Sequence, residues 1–306
     1  MPIFNTIPSK PYFETDFGEA YLANTIEFIK EIPDESIDLI MTSPPFALLR
    51  KKSYGNEDEK EYIQWFVNNF AFEFKRILKP NGSLVIDIGG AYKSKKPVRS
   101  LYHFELLIEL CNGPTNFNLA QEFYWYNPAK LPSPIQWVNI KKVRVKDSIN
   151  PIWWLSKSDN PKANNKNVLV PYKASMKRLL KNGYNSGKRP SQHVMSENSW
   201  QKDNGGAIAS NLIGYNTEID FAKYIDSVYD EYMSNFEIYL EQKLAADFSD
   251  NVLEIANTLS SDKYLQACKE LNLKIHPARF PSELPEFFIK FLTDENDIVF
   301  DPFGGS

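Results

Sequence analysis

Cysteine is nearly absent from this chain of 306 residues: Cys111 and Cys268 are its two, far apart and without a C-x-x-C partner. Neither a disulfide framework nor a zinc site is therefore indicated, and both read as small buried apolar residues. Histidine is also scarce, with three residues. No Cys/His/Asp cluster accompanies His193 or His276, so no metal is expected, and His276, beside Pro277, reads as structural. Long apolar runs are missing as well. The opening "MPIFNTIPSK" lacks the basic start and apolar centre of a signal peptide, so no membrane partner is expected and the protein is placed in the cytoplasm. No internal repeat is present.

A basic surplus is missing too, since the formal net charge is −4, but its distribution changes that reading. The stretch from Glu218 to Asp262 carries eleven acidic residues against two lysines, so the rest of the chain is net positive. There the cations cluster as "RKK" at 50–52, "KSKKPVR" at 93–99, "KKVRVK" at 141–146, and in Lys173, Lys177, Arg178, Lys181, Lys188 and Arg189. Such clusters can follow a phosphate backbone, and any one of them is equally a solvated face.

Apolar runs bounded by turn residues predict strands at Ile37–Thr42, Ser83–Gly89, Leu119–Tyr126, Ile149–Ser156 and Asp297–Asp301. Helical spacing predicts Glu19–Glu31, with Leu22, Ile26 and Ile29 on one face, and Glu59–Leu78, ended by "KPNG". Strands alternating with helices imply an α/β fold with a doubly wound, mostly parallel sheet, in which ligands sit beyond the carboxyl ends of the strands. From Pro161 to about Gly214 the pattern dissolves into Lys, Asn, Ser, Gly and Pro, a long irregular region. Phe221, Ile225, Val228, Tyr232, Phe236, Leu240 and Leu244 then predict an acidic amphipathic helix.

The strand Ile37–Thr42 runs into Ser43-Pro44-Pro45-Phe46. Two prolines fix the loop and its carbonyls. Such rigidity suits methylation of an exocyclic amino group, whose lone pair is delocalised into the base ring. Acceptors held against its two N–H bonds help the nitrogen become tetrahedral, and Ser43 Oγ with a backbone carbonyl of Pro44–Pro45 can serve. Phe46 can stack on a base turned out of a duplex. A diproline turn that merely caps a strand explains these residues equally well. A second strand runs into "DPFGGS", Asp301 to Ser306, where glycines let backbone approach a ligand.

Together these motifs resemble the amino-methylating DNA methyltransferases of type II restriction–modification systems in the permuted beta arrangement, catalytic motif first and cofactor motif last. The resemblance is to the PvuII-type, cytosine-N4-specific members, and it runs through "TSPPFALLRKKSYGN", "LKPNGSLVIDIGGAY", "FYWYNPAKLPSPIQWVN", "RVKDSINPIWWLSK", "KDNGGAI" and "HPARFPSELPEFFIKFL". It implies that Ser43, Pro44, Pro45 and Phe46 are catalytic. Asp301, Pro302, Phe303, Gly304, Gly305 and Ser306 would begin the S-adenosylmethionine site, with Phe280 and Pro281 on its methionine side. Arg189, Gln192, His193, Lys202 and Asn204 would read base edges, although phosphate contact or plain solvation suits each. Residues 1–160 would form the catalytic half, 161–214 the target-recognition region, 215–263 an acidic helical insertion, and 264–306 the start of the cofactor half. Double-stranded DNA is the implied partner, and a cognate restriction endonuclease the functional one. Neither cysteine has the Pro-Cys context of carbon-methylating enzymes.

The same resemblance implies a longer cofactor half. Measured against βαβ units, roughly 40 to 60 further residues are expected after Ser306, so a complementing C-terminal polypeptide is a candidate partner and weak S-adenosylmethionine binding is expected of the chain alone. Adenine-N6 methylation, and a split DNA-binding subunit without transfer activity, are the alternatives.

Overall fold

All six residues of Ile37–Thr42 are buried, as a near-continuous apolar run requires of a strand covered on both faces. A computed structural model of the chain describes residues 7–46, 61–127, 130–183, 187–188, 194–195, 202–213, 268–270 and 280–304. In chain order, the elements are β1 (Phe13–Thr15), β2 (Gly18–Ala20), α1 (Thr25–Phe28), β3 (Ile37–Thr42), α2 (Tyr62–Phe66), a π turn (Val67–Ala71), α3 (Phe72–Ile77), β4 (Leu78–Asp87) and α4 (Tyr102–Asn112). They continue with β5 (Asn118–Tyr126), β6 (Ile149–Ser156), α5 (Ala174–Asn182), β7 (Gly187–Lys188), β8 (Val194–Met195), β9 (Leu212–Ile213), α6 (Glu283–Leu292) and β10 (Val299–Phe300).

The central sheet has the order β10-β3-β4-β6-β5-β9. Neighbours pair in parallel except at β6, which runs antiparallel to both β4 and β5. The expected doubly wound, mostly parallel α/β sheet is thus observed. Alternation along each strand divides the core between its faces. Ile40, Leu84, Ile86, Trp153 and Leu155 join Phe66, Phe70, Phe74, Tyr102 and Leu106 of the α2–α4 side. Leu39, Met41, Val85, Ile152 and Trp154 instead meet Leu284, Phe287, Phe288 and Leu292 of α6. Leu212–Ile213, at the end of the irregular 161–214 region, returns to the sheet beside β5.

Two predicted helices differ from what forms. Glu19 lies in the β1–β2 hairpin, and Leu22 is 84% exposed. The helix starts at Thr25 because Asn24 caps it, its side chain accepting from the Ile26 N–H at 3.0 Å, an arrangement that ends helical backbone at the cap. In the second, α3 stops at Ile77 and Leu78 is already extended. "KPNG" lies within β4, where the pairing register with β3 shifts between Leu78 and Ser83. Cys268 is buried as expected, whereas Cys111 is half-buried. The predicted acidic helix and His276 lie outside the described residues. No described helix is long and apolar enough to cross a membrane.

Candidate active site

Three strands of the sheet end together. Ser43 follows β3, Asp87 closes β4, and Asp301 follows β10, with β3 the neighbour of both. Thr42 Oγ1 donates to Asp301 Oδ1 at 2.9 Å, and the same oxygen accepts the Phe303 N–H at 3.0 Å. On the other side of β3, Ser43 Oγ donates to Asp87 Oδ2 at 3.3 Å. The diproline loop and the glycine loop are therefore adjacent, joined through Thr42, the last residue of β3.

Asp87 is fully buried, and its Oδ1 has no hydrogen-bond partner among the described residues. Burial pushes its carboxyl up from 3.8 to about 7, against the bond from Ser43 and the positive charge of Lys130, both of which lower it. Lys130 donates to Asn150 Oδ1 at 2.7 Å. Burial lowers its pKa and the charge of Arg99 adds to that, while Asp147 and Asp87 oppose. Because the Ser43 proton is engaged by Asp87, the remaining lone pairs of Oγ are free to accept from a ligand.

Pro44 is buried, and Pro45 and Phe46 are half-buried. The Phe46 ring lies on Gly89: a Cβ there would stand 2.5 Å from Phe46 Cε2. Gly89 is itself held, its carbonyl accepting from the Tyr102 hydroxyl. Phe46 thus has one side committed to the protein, in a position where only glycine fits beneath it.

The second loop is braced from two directions. Thr25 Oγ1 donates to Pro302 O at 2.7 Å, and the Phe303 ring meets Phe70 edge-on at 4.9 Å. Phe70 belongs to the π turn, whose extra residue per turn is a departure often found at functional sites. Among the described residues, and leaving out its chain neighbours, the nearest atom to where a Cβ on Gly304 would stand is Asp301 Oδ2 at 3.8 Å, which leaves room beside this backbone for a ligand. Phe280 packs on the α6 side of the sheet and Pro281 is buried at the start of that helix; α6 in turn packs against β3.

Lys202 and Asn204 are exposed on one loop, with the Asn204 N–H donating to the Tyr172 hydroxyl at 2.9 Å. Nearby in sequence, α5 exposes Lys177, Arg178 and Lys181. Arg189, Gln192, His193, Gly305 and Ser306 lie outside the described residues. No metal-binding cluster of His, Cys, Asp and Glu occurs among the described residues. Sequence reasoning did not single out Thr42, Asp87, Gly89 or Lys130. For Asp87 the signal was an acid closing the apolar run "SLVID" ahead of paired glycines.

Residues 37–306 match the DNA methylase family of the N6/N4 class. The chain is 43% identical over 300 residues to the type II methyltransferase M.PvuII of Proteus hauseri, spanning 97% of this chain and 76% of that protein. M.BamHI of Bacillus amyloliquefaciens is 40% identical over 87 residues, 27% of this chain and 20% of that relative. Among solved structures, the PvuII DNA methyltransferase (cytosine-N4-specific) superposes with a TM-score of 0.64 at 37% identity, covering 96% of this chain and 77% of that one.

Proposed function

The chain belongs to the N6/N4 DNA methylase family, and from that membership and the joined strand ends we propose that it transfers a methyl group from S-adenosylmethionine to the N4 amino group of cytosine in duplex DNA, protecting host DNA in a restriction–modification system. The observation that carries this reading is the bond from Thr42 to Asp301, which brings the diproline loop and the glycine loop together. The relative spanning nearly the whole chain bears the name of a type II methyltransferase, and the superposed structure is described as cytosine-N4-specific.

The open backbone at Gly304 and the anchored Asp301 carboxylate fit a cofactor with a ribose and an amino-acid end. S-adenosylmethionine, when bound, supplies an electrophilic methyl group on a sulfonium. The chain's own residues prepare the nucleophile. Ser43 Oγ accepts one N–H of the flipped cytosine and a carbonyl of Pro44–Pro45 accepts the other, which draws the nitrogen lone pair out of the ring plane. As N4 gains the methyl group it must lose a proton. Ser43 can take that proton while passing its own to Asp87, whose raised pKa makes it a competent acceptor near neutral pH. No covalent enzyme intermediate is needed. Phe46, backed by Gly89, stacks on the base, and residues 173–213, with Lys202 and Asn204 exposed, supply sequence recognition together with Arg189, Gln192 and His193.

The test is methylation of a plasmid by the protein, followed by sequencing that reports modified bases. Digestion to nucleosides should give N4-methylcytosine at one short site. N6-methyladenine would sink the cytosine assignment, and DNA binding with no methylated product would sink the enzymatic one.

A further inference from the structure

In the run Lys141-Lys142-Val143-Arg144-Val145-Lys146 the arginine would ordinarily meet water and the valines turn inward. The opposite is found. Val143 and Val145 are 60% and 84% exposed, while the Arg144 side chain is only 23% exposed. Its guanidinium donates to Pro97 O at 3.0 Å and lies 4.8 Å from the centre of the Tyr92 ring. Leu131, Ile135 and Ile140 are exposed in the same segment, with Lys141, Lys142 and Lys146 exposed among them. Five large apolar side chains left in water within one segment, Leu131, Ile135, Ile140, Val143 and Val145, point to a contact surface.

The segment lies between the end of β5 and the start of β6, at the same end of the sheet as Ser43 and Asp87. A chain of contacts ties it to the catalytic loop. Arg144 and Arg99 both lie against the Tyr92 ring, and Arg99 pairs with Asp147 at 3.4 Å. The Arg99 guanidinium also fills the space above Gly90. Gly90 adjoins Gly89, on which Phe46 rests. The outward valines are therefore held on a braced frame.

From this geometry, and resting on the functional reading above, we infer that the 131–146 segment is a wedge that enters duplex DNA beside the target cytosine. Val143 and Val145 press into the base stack and hold the gap opened when the base turns out, while Lys141, Lys142 and Lys146 face the flanking phosphates. Charge selects this occupant: Lys141, Lys142 and Lys146 are exposed and no acidic residue occurs from 130 to 146, which suits a polyanion and would set like charges against each other in a contact between two copies. Apolar side chains pushed between base steps compensate unstacking by widening the contact surface.

The test uses a duplex bearing the site found by plasmid sequencing, with 2-aminopurine beside the target cytosine, and a second duplex in which that cytosine is mismatched. The double variant Val143→Ser/Val145→Ser should lose at least ~10-fold in kcat on the matched duplex, because unpairing and unstacking the target base is then uncompensated, and should suppress the fluorescence rise. Its melting temperature should match the parent's, and activity should return on the mismatched duplex, whose pair is already weakened. Parental rate and fluorescence on the matched duplex would overturn the inference. So would a loss that the mismatch fails to relieve, or a parent that dimerises in solution and becomes monomeric on substitution. Formation of N4-methylcytosine by the parent protein is scored separately, so failure of the functional reading is distinguishable from failure of the wedge.

Discussion

Ser43 Oγ donates to Asp87 Oδ2 across 3.3 Å, joining the first residue beyond β3 to the last residue of β4. A rigid loop and a fully buried carboxylate thereby act on one hydroxyl. Its proton is turned toward the carboxylate, which leaves its lone pairs to accept from a ligand.

Replacing Ser43 by Ala removes one preorganised acceptor of the amino group and leaves the strand end intact. The expected loss in kcat is on the order of 10²- to 10³-fold, with DNA affinity within about twofold because the hydroxyl is a small part of the duplex contact. Radiolabelled methyl transfer and gel retardation measure the two quantities; parental kcat in the variant would assign the orienting role to the proline carbonyls alone.

Asp87 sets a pH dependence of activity and of stability. Its carboxyl titrates at about 7 in the folded protein against an ordinary value of 3.8. Transfer that needs the ionised form should therefore rise with pH through about 7, and Asp87→Asn should flatten that limb as it lowers the rate. The stability effect has the opposite direction. Between the two values the unfolded chain has released the proton and the folded protein retains it, so stability falls as pH rises through this window and stays lower above it, by up to roughly 4 kcal/mol. Thermal melts at pH 5 and pH 8 should show Asp87→Asn gaining on the parent at the higher pH.

A Cβ on Gly89 would stand 2.5 Å from Phe46 Cε2. Gly89→Ala must displace that ring, at a stability loss of about 1–3 kcal/mol typical of overpacking, and should reduce transfer by more than the stability change explains. The informative comparison is kcat with the protein still folded by circular dichroism; a fully active folded variant would show that the ring's seat is immaterial.

Thr42→Val keeps the shape of the strand and removes the donor to Asp301. About 0.5–1.5 kcal/mol should be lost from stability, and the KM for S-adenosylmethionine should rise several-fold while the KM for DNA stays put. A change confined to DNA binding would contradict the placement of Asp301 on the cofactor side.

Much of the framework is legible in residue pattern. Ile37–Thr42 and Ile149–Ser156 form strands with the expected bounds, because buried strands are written as short apolar runs that alternate between two covered faces. The hairpin at Glu19 and the register shift at Lys79–Gly82 were not legible. In both places helical spacing of apolar residues competes with a local event, a side-chain cap at Asn24 or an extended pairing partner across the sheet, that leaves little trace in periodicity.

For the site, the residue order alone carried two local properties: a rigid loop in Ser43-Pro44-Pro45-Phe46 and a glycine-containing turn after Asp301. Each follows from covalent properties, proline's fixed φ and glycine's missing Cβ, that hold wherever the residues lie. Their partnership is a property of the assembled sheet. Thr42 meets Asp301 across 259 positions, and Asp87 becomes a proton acceptor near neutrality only because the sheet and its covering layers exclude water from it. Strand neighbours are chosen by which faces can be buried together, and a carboxyl's pKa by what surrounds it. Both are settled by packing between distant segments, which no local stretch encodes.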